Sequence, residues 1–147
     1  MASVKESVDI KLPVDKVFAY VADPENWTRY VTSLTEVKEL STDKVVEGTA
    51  FSWEYRMLGM KFGGKGLIED YVPNSRFSMK MEGAFPIREV FEFEGSGDNT
   101  RLTFSIEYEI PNKILSVVAN SSVVEGLNAK EVKNVLDKVK VLCEAGA

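Results

Sequence analysis

Histidine is absent from the chain and cysteine occurs once, at Cys143. An intrachain disulfide is therefore impossible, the usual zinc and iron constellations lack ligands, and Ser-His or Cys-His nucleophile pairs are excluded. Any chemistry falls to carboxylates, tyrosines, lysines, arginines or bound water, and neither a metal nor a cofactor is expected. No run approaches the roughly 18 consecutive apolar residues that would propose a membrane span, so integral membrane association is not expected either. The opening Met1-Ala2-Ser3-Val4-Lys5-Glu6 lacks the apolar stretch of a secretion signal, which makes a cytoplasmic protein the expectation. Two glycosylation sequons, Asn26-Trp27-Thr28 and Asn120-Ser121-Ser122, carry little weight without such a signal. Basic residues are in the minority, 18 Lys and Arg against 23 Asp and Glu, and the formal charge is −5. That balance argues against a general affinity for phosphate backbones, which cationic side chains drive, so nucleic acid is not an expected partner.

The 147 residues suit one domain, residues 1–147, with a sizeable core, and 44% hydrophobic with 28% charged content is ordinary for a globular protein. Val4, Val8, Ile10 and Leu12 share one parity in a first strand, with Glu6 on the same, mainly apolar side. Pro13 ends that strand. Val14, Val17, Phe18 and Val21 then recur at helical spacing, with Asp15 in the first turn where the helix dipole favours a negative charge. Asp23-Pro24-Glu25 reads as a cap, a first-turn proline and an acidic residue, opening a second short helix that carries Trp27 and Tyr30.

From Leu34 strands follow one another closely, at about 34–41, 45–58, 60–72, 75–82, 86–95 and 99–110, and their short connections imply antiparallel hairpins. Phe51 to Met57 and Leu102 to Tyr108 alternate apolar and polar with the period of a half-buried strand. Gly63, Gly64 and Gly66 fall inside a strand, where glycine marks a bulge or sharp bend. Asn112 to Cys143 reads as one long helix. Ile114, Val117, Val118, Val124, Val132, Val135, Leu136, Val139, Leu142 and Cys143 lie on one face of it, and Ser121, Glu125 and Asn128 fall on that same face. Polar residues in mid-stripe are costly in a dry core. Either a hydrated or ligand-filled space lies beneath them, or Gly126 kinks the helix and turns them to solvent.

The order of elements and several local phrases resemble the START-like (SRPBCC) superfamily, within it the polyketide cyclase/dehydrase and lipid-transport group. Pro13 through Trp27 looks like its opening strand and paired helices, Glu69 through Phe77 like its strand, proline turn, strand signature, and Lys138 through Ala145 like the end of its helix. The resemblance covers essentially the whole chain. It implies an α+β helix-grip fold: a seven-stranded curved antiparallel sheet wrapped around a long C-terminal helix, with two short helices between strands 1 and 2. It also implies a cavity between sheet and helix for a hydrophobic or amphipathic, lipid- or polyketide-like molecule. The missing histidine departs from members that use one as a base.

If the odd residues of the third strand face the hollow, Phe51, Trp53, Tyr55 and Met57 form an aromatic wall. Phe77, Met79 and Met81, then Ile87, Phe91 and Phe93, then Phe104, Ile106 and Tyr108 complete an apolar lining, with Phe62 near the hairpin tip. Such surfaces line pockets of about 300 to 1,000 Å³, and they equally describe a filled core. Glu89 shares the parity of Ile87, Phe91 and Phe93, so its carboxyl would be desolvated and its pKa raised. A bulge that exposes it, or pairing with Arg56 or Arg88, would remove it from that role. Gly63-Gly64-Lys65-Gly66 lacks the Lys-Ser/Thr of a phosphate-binding loop. The leading functional reading is a carrier or binder of a hydrophobic small molecule, contacted by the wall residues and by Ser121, Glu125 and Asn128. The second is a cyclase/dehydrase-type enzyme in which Glu89 with Tyr55 or Tyr108 moves protons. The third is an interaction module docking a protein on the apolar hairpin from Met57 to Phe62.

Overall fold

Alternation of apolar and polar residues dictates most of the architecture. In a computed structural model of the chain, the described residues are 2–57, 59–83, 86–108 and 121–146, the side chains of residues 2, 57, 121–125 and 127 excepted. Seven strands, β1 (Ala2–Ile10), β2 (Leu34–Lys38), β3 (Ala50–Met57), β4 (Met60–Val72), β5 (Arg76–Gly83), β6 (Ile87–Ser96) and β7 (Asn99–Tyr108), form one antiparallel sheet in the order β1-β7-β6-β5-β4-β3-β2. Helices α1 (Val14–Ala22) and α2 (Pro24–Tyr30) separate β1 from β2, and α3 (Ser121–Glu144) follows the sheet. This is the helix-grip fold that the resemblance implies.

Several boundaries differ from those read in the sequence. β2 stops at Lys38 rather than at residue 41, because Glu39 takes a left-handed backbone (φ 57°) that leaves the sheet. β3 begins at Ala50 rather than at residue 45, after a turn in which Gly48 has φ 91°. The register of β4 against β5 slips between Ile68 and Asp70, a bulge of the kind that bends a strand. The glycine-rich stretch of β4 has a packing reason: a Cβ at Gly64 would meet the carbonyl oxygen of Glu82 on β5.

One face of the sheet is largely apolar, with Glu89 of β6 buried within it. Ile10 on β1, Leu102, Phe104, Ile106 and Tyr108 on β7, Phe91 and Phe93 on β6, and Phe77, Met79 and Met81 on β5 are all buried there. Phe77 stacks on Phe91 at 4.9 Å between centroids, Phe91 on Phe104 at 4.3 Å, and Phe18 of α1 meets the edge of this stack through Phe77 and Phe93. α3 lies on β1 and β7 and presents Val132, Val135, Leu136, Val139 and Cys143, all buried, as the helical stripe predicts. The helix runs unbroken through Gly126, which is exposed, and Asn128 is only 1% exposed. The solvent-facing reading is thereby corrected for Asn128. Residues 112–120 of the predicted helix, residues 109–110 of the predicted last strand, Leu58, and the side chains of Met57, Ser121, Val124 and Glu125 lie outside what is described.

Candidate functional site

The α1–α2 corner and the inner face of the sheet meet around a single carboxyl group. Asp23 caps α2 by accepting a hydrogen bond from the Glu25 amide at 3.0 Å, and Pro24 holds the first helical position. α2 then folds back on the end of α1. Trp27 Nε1 donates to the Val21 carbonyl at 3.0 Å, the Tyr30 hydroxyl donates to the same oxygen at 2.7 Å, and Asn26 Nδ2 donates to the Tyr20 carbonyl at 3.0 Å. These bonds satisfy carbonyls that α1 leaves open at its end and press two aromatic rings toward the sheet.

Glu89 lies opposite them, mid-strand in β6. Its cross-strand row runs Ile68, Met79, Glu89, Ile106, Val4, so the carboxyl is flanked by apolar side chains on both neighbouring strands. Glu89 is 6% exposed, and among the described residues none hydrogen-bonds to its carboxyl or forms an ion pair with it. Arg88 is turned to the opposite face, where it pairs with Glu69 at 3.0 Å, and Arg56 is exposed. Burial first, and the negative charge of Glu131 second, push the Glu89 pKa up to about 8. At neutral pH this group is mostly a protonated acid.

α3 adds two more polar groups. Asn128 Nδ2 is buried with no hydrogen-bond partner. Glu131 accepts a hydrogen bond from Ser33 Oγ at 3.0 Å through Oε2, while its Oε1 is buried and accepts none. Tyr55, on β3, neighbours Ser33 and Glu131, and desolvation followed by the charges of Glu131 and Glu89 holds its phenol well above the ordinary tyrosine range. Tyr30 is raised for the same leading reason, with Glu89 the next cause. Both phenols therefore stay protonated donors.

The enclosed space beside Glu89 has a volume of about 10 Å³. From the sheet it is lined by Leu34, Phe51, Tyr55, Met79, Met81 and Glu89, and from α2 and its C-cap by Trp27, Tyr30 and Val31. That is room for a single water-sized group, far below the pocket size the sequence suggested. Met81 also borders an open depression of about 350 Å³ that Tyr108 lines at the far end of β7. Of the predicted contact residues, Phe91, Phe93 and Phe104 join the aromatic stack, Trp53 turns its Nε1 to the Lys65 carbonyl at 2.9 Å, and Phe62 is half-buried opposite Tyr55.

Four participants escaped the sequence reading: Trp27, Tyr30, Ser33 and Glu131. Glu131 carried a usable signal, since it stands three residues after Asn128 and four before Val135, at the edge of the inward stripe. Ser33 carried none, because its contact with Glu131 joins residues 98 apart in the chain.

The fold has many solved counterparts. TTHA0849, a protein of Thermus thermophilus, matches with a TM-score of 0.82 at 19% identity, covering 99% of each chain. The Zhui aromatase/cyclase from Streptomyces sp. R1128 matches at 0.69 and 13% identity, over 94% of this chain and 93% of that one. Ara h 8.0201 matches at 0.60 and 12% identity, over 94% and 97%. At these identities the likeness concerns the fold alone. No curated protein matches the sequence. The model of one family, described as polyketide cyclase / dehydrase and lipid transport, matches residues 1–144, and the chain belongs to that family.

Proposed function

We propose that this protein binds a hydrophobic or amphipathic small molecule, lipid- or polyketide-like, between the inner face of the sheet and α3. The observation that carries the reading is a pair of buried polar atoms without a hydrogen-bond partner, Glu131 Oε1 and Asn128 Nδ2, in the same largely apolar interior as the desolvated Glu89 carboxyl. Each costs about 1–3 kcal/mol when left unsatisfied, so an occupant with an apolar body and a few polar atoms would lower the free energy of the folded state. An aromatic lining with few polar groups is the usual composition of a small-molecule site. The present space of about 10 Å³ requires the walls to part. Met79 and Met81, unbranched and adaptable, are the residues best suited to do so.

Native mass spectrometry of the protein purified from its own host tests this reading, together with uptake of an apolar fluorescent dye. A copurifying molecule, or dye uptake that the molecule displaces, is expected. Protein that is consistently empty and takes up neither dye nor xenon contradicts it.

One observation favours a second reading, a cyclase/dehydrase-type enzyme. The Glu89 pKa of about 8 suits a group that gives and takes protons near neutral pH, with Tyr55 or Tyr108 as its partner. Under that reading Glu89→Gln abolishes turnover of an identified substrate while sparing its binding. Unchanged turnover removes Glu89 from the chemistry.

A further inference from the structure

We infer that the bound molecule is an amphipathic amine whose ammonium group sits between the carboxylates of Glu89 and Glu131. The inference rests on the ligand-binding reading above and narrows it to one class of ligand.

Three observations point the same way. First, Glu89 lines the enclosed space with no hydrogen-bond partner among the described residues, and Glu131, whose charge acts on it, keeps one buried oxygen, Oε1, without a partner; an ionised carboxylate only accepts hydrogen bonds. An ammonium group has three donors to offer them. Second, among the described residues no lysine or arginine lines the space. The charge acting on Glu89 is that of Glu131 from α3, and the groups that in turn feel Glu89 are Tyr30 from α2 and Tyr55 from β3, none of them a cation. The site thus lacks the positive charge that two neighbouring carboxylates would otherwise call for. Third, the walls include the rings of Trp27, Tyr30, Phe51 and Tyr55, and desolvated aromatic faces attract a cation. An acceptor oxygen elsewhere on the same molecule would satisfy Asn128 Nδ2, one helical turn from Glu131.

Charge balance gives the inference a signature. Glu89 holds its proton in the empty protein near neutral pH, so an arriving ammonium ion displaces that proton to solvent as the carboxylate forms. Affinity therefore rises with pH up to about 8, where Glu89 is ionised without the ligand, then levels off and falls once the amine loses its own proton. A neutral alcohol of the same shape would accept or share the Glu89 proton and release none.

The test is calorimetric titration at pH 7 in buffers of different ionisation heat, using 2-phenylethylamine, 2-phenylethanol and phenylacetate as shape-matched probes on the full chain. The amine is expected to bind at least about tenfold more tightly than the alcohol, a difference of about 1.4 kcal/mol, and to release close to one proton per molecule. Its affinity should weaken toward tenfold for each pH unit below 7. Glu89→Gln should erase both the preference and the proton release, and Glu131→Gln should reduce the preference. Unfolding curves establish that each variant is folded. Equal or tighter binding of the alcohol overturns the amine and leaves ligand binding standing, as does dye uptake with no binding of any probe. Failure of both probes and dye overturns the two readings together.

Discussion

The ring of Phe51 fills the space over Gly66, its cross-strand partner on β4: a Cβ at Gly66 would fall 2.2 Å from the ring's Cζ. Phe51 cannot retreat freely, because its other side meets Trp27 edge-on at 5.2 Å. Gly66→Ala is therefore expected to displace the ring and destabilise the protein by about 1–3 kcal/mol, as overpacking does. Urea unfolding measures it. An unchanged or raised midpoint contradicts this packing.

Stability should fall with pH across neutrality. A carboxyl whose pKa is higher in the folded than in the unfolded state contributes stability that is complete below the ordinary carboxyl range and is lost as pH rises through the folded value. For Glu89 that value is about 8. The wild-type free energy should decline between pH 5 and 8 by up to about 1.4 kcal/mol per unit relative to Glu89→Gln. Glu39 and Glu144, held low by lysines and other donors, act in the opposite sense and only as pH falls below the carboxyl range. Parallel pH profiles for the two proteins contradict the assignment.

Asn26 is expected to be structural. Its Nδ2 is the side-chain donor to the Tyr20 carbonyl, buried beneath the corner. Asn26→Ala should cost about 1–3 kcal/mol, the penalty of leaving a buried acceptor unpaired. It should also loosen the Trp27 environment, read as a shift in tryptophan emission. A variant as stable as the parent, with unchanged emission, contradicts that role.

Where one residue's environment follows from its neighbours in sequence, the chain was readable. Alternation placed Phe51, Trp53 and Tyr55 inward on β3 and Glu89 inward on β6, and all four are buried. The proline and cap residues at 13 and 23–25 located α1 and α2 for the same reason. Local pattern failed where distant backbone decided the outcome. The bulge after Ile68 and the left-handed Glu39 are set by how strands meet. The size of the interior was equally hidden, because the stacking of Phe77, Phe91 and Phe104 depends on register across three strands. The polar group around Glu89 draws Tyr30, Ser33, Tyr55 and Glu131 from four separate segments, and only the fold brings them together.

The most direct measurement is the titration of the Glu89 carboxyl itself, followed by carbon-13 NMR in protein labelled at glutamate Cδ and assigned by its loss in Glu89→Gln. A midpoint near 8 is predicted. A midpoint in the ordinary carboxyl range would mean that the group is hydrated or paired, and would contradict an interior built around an unpartnered acid.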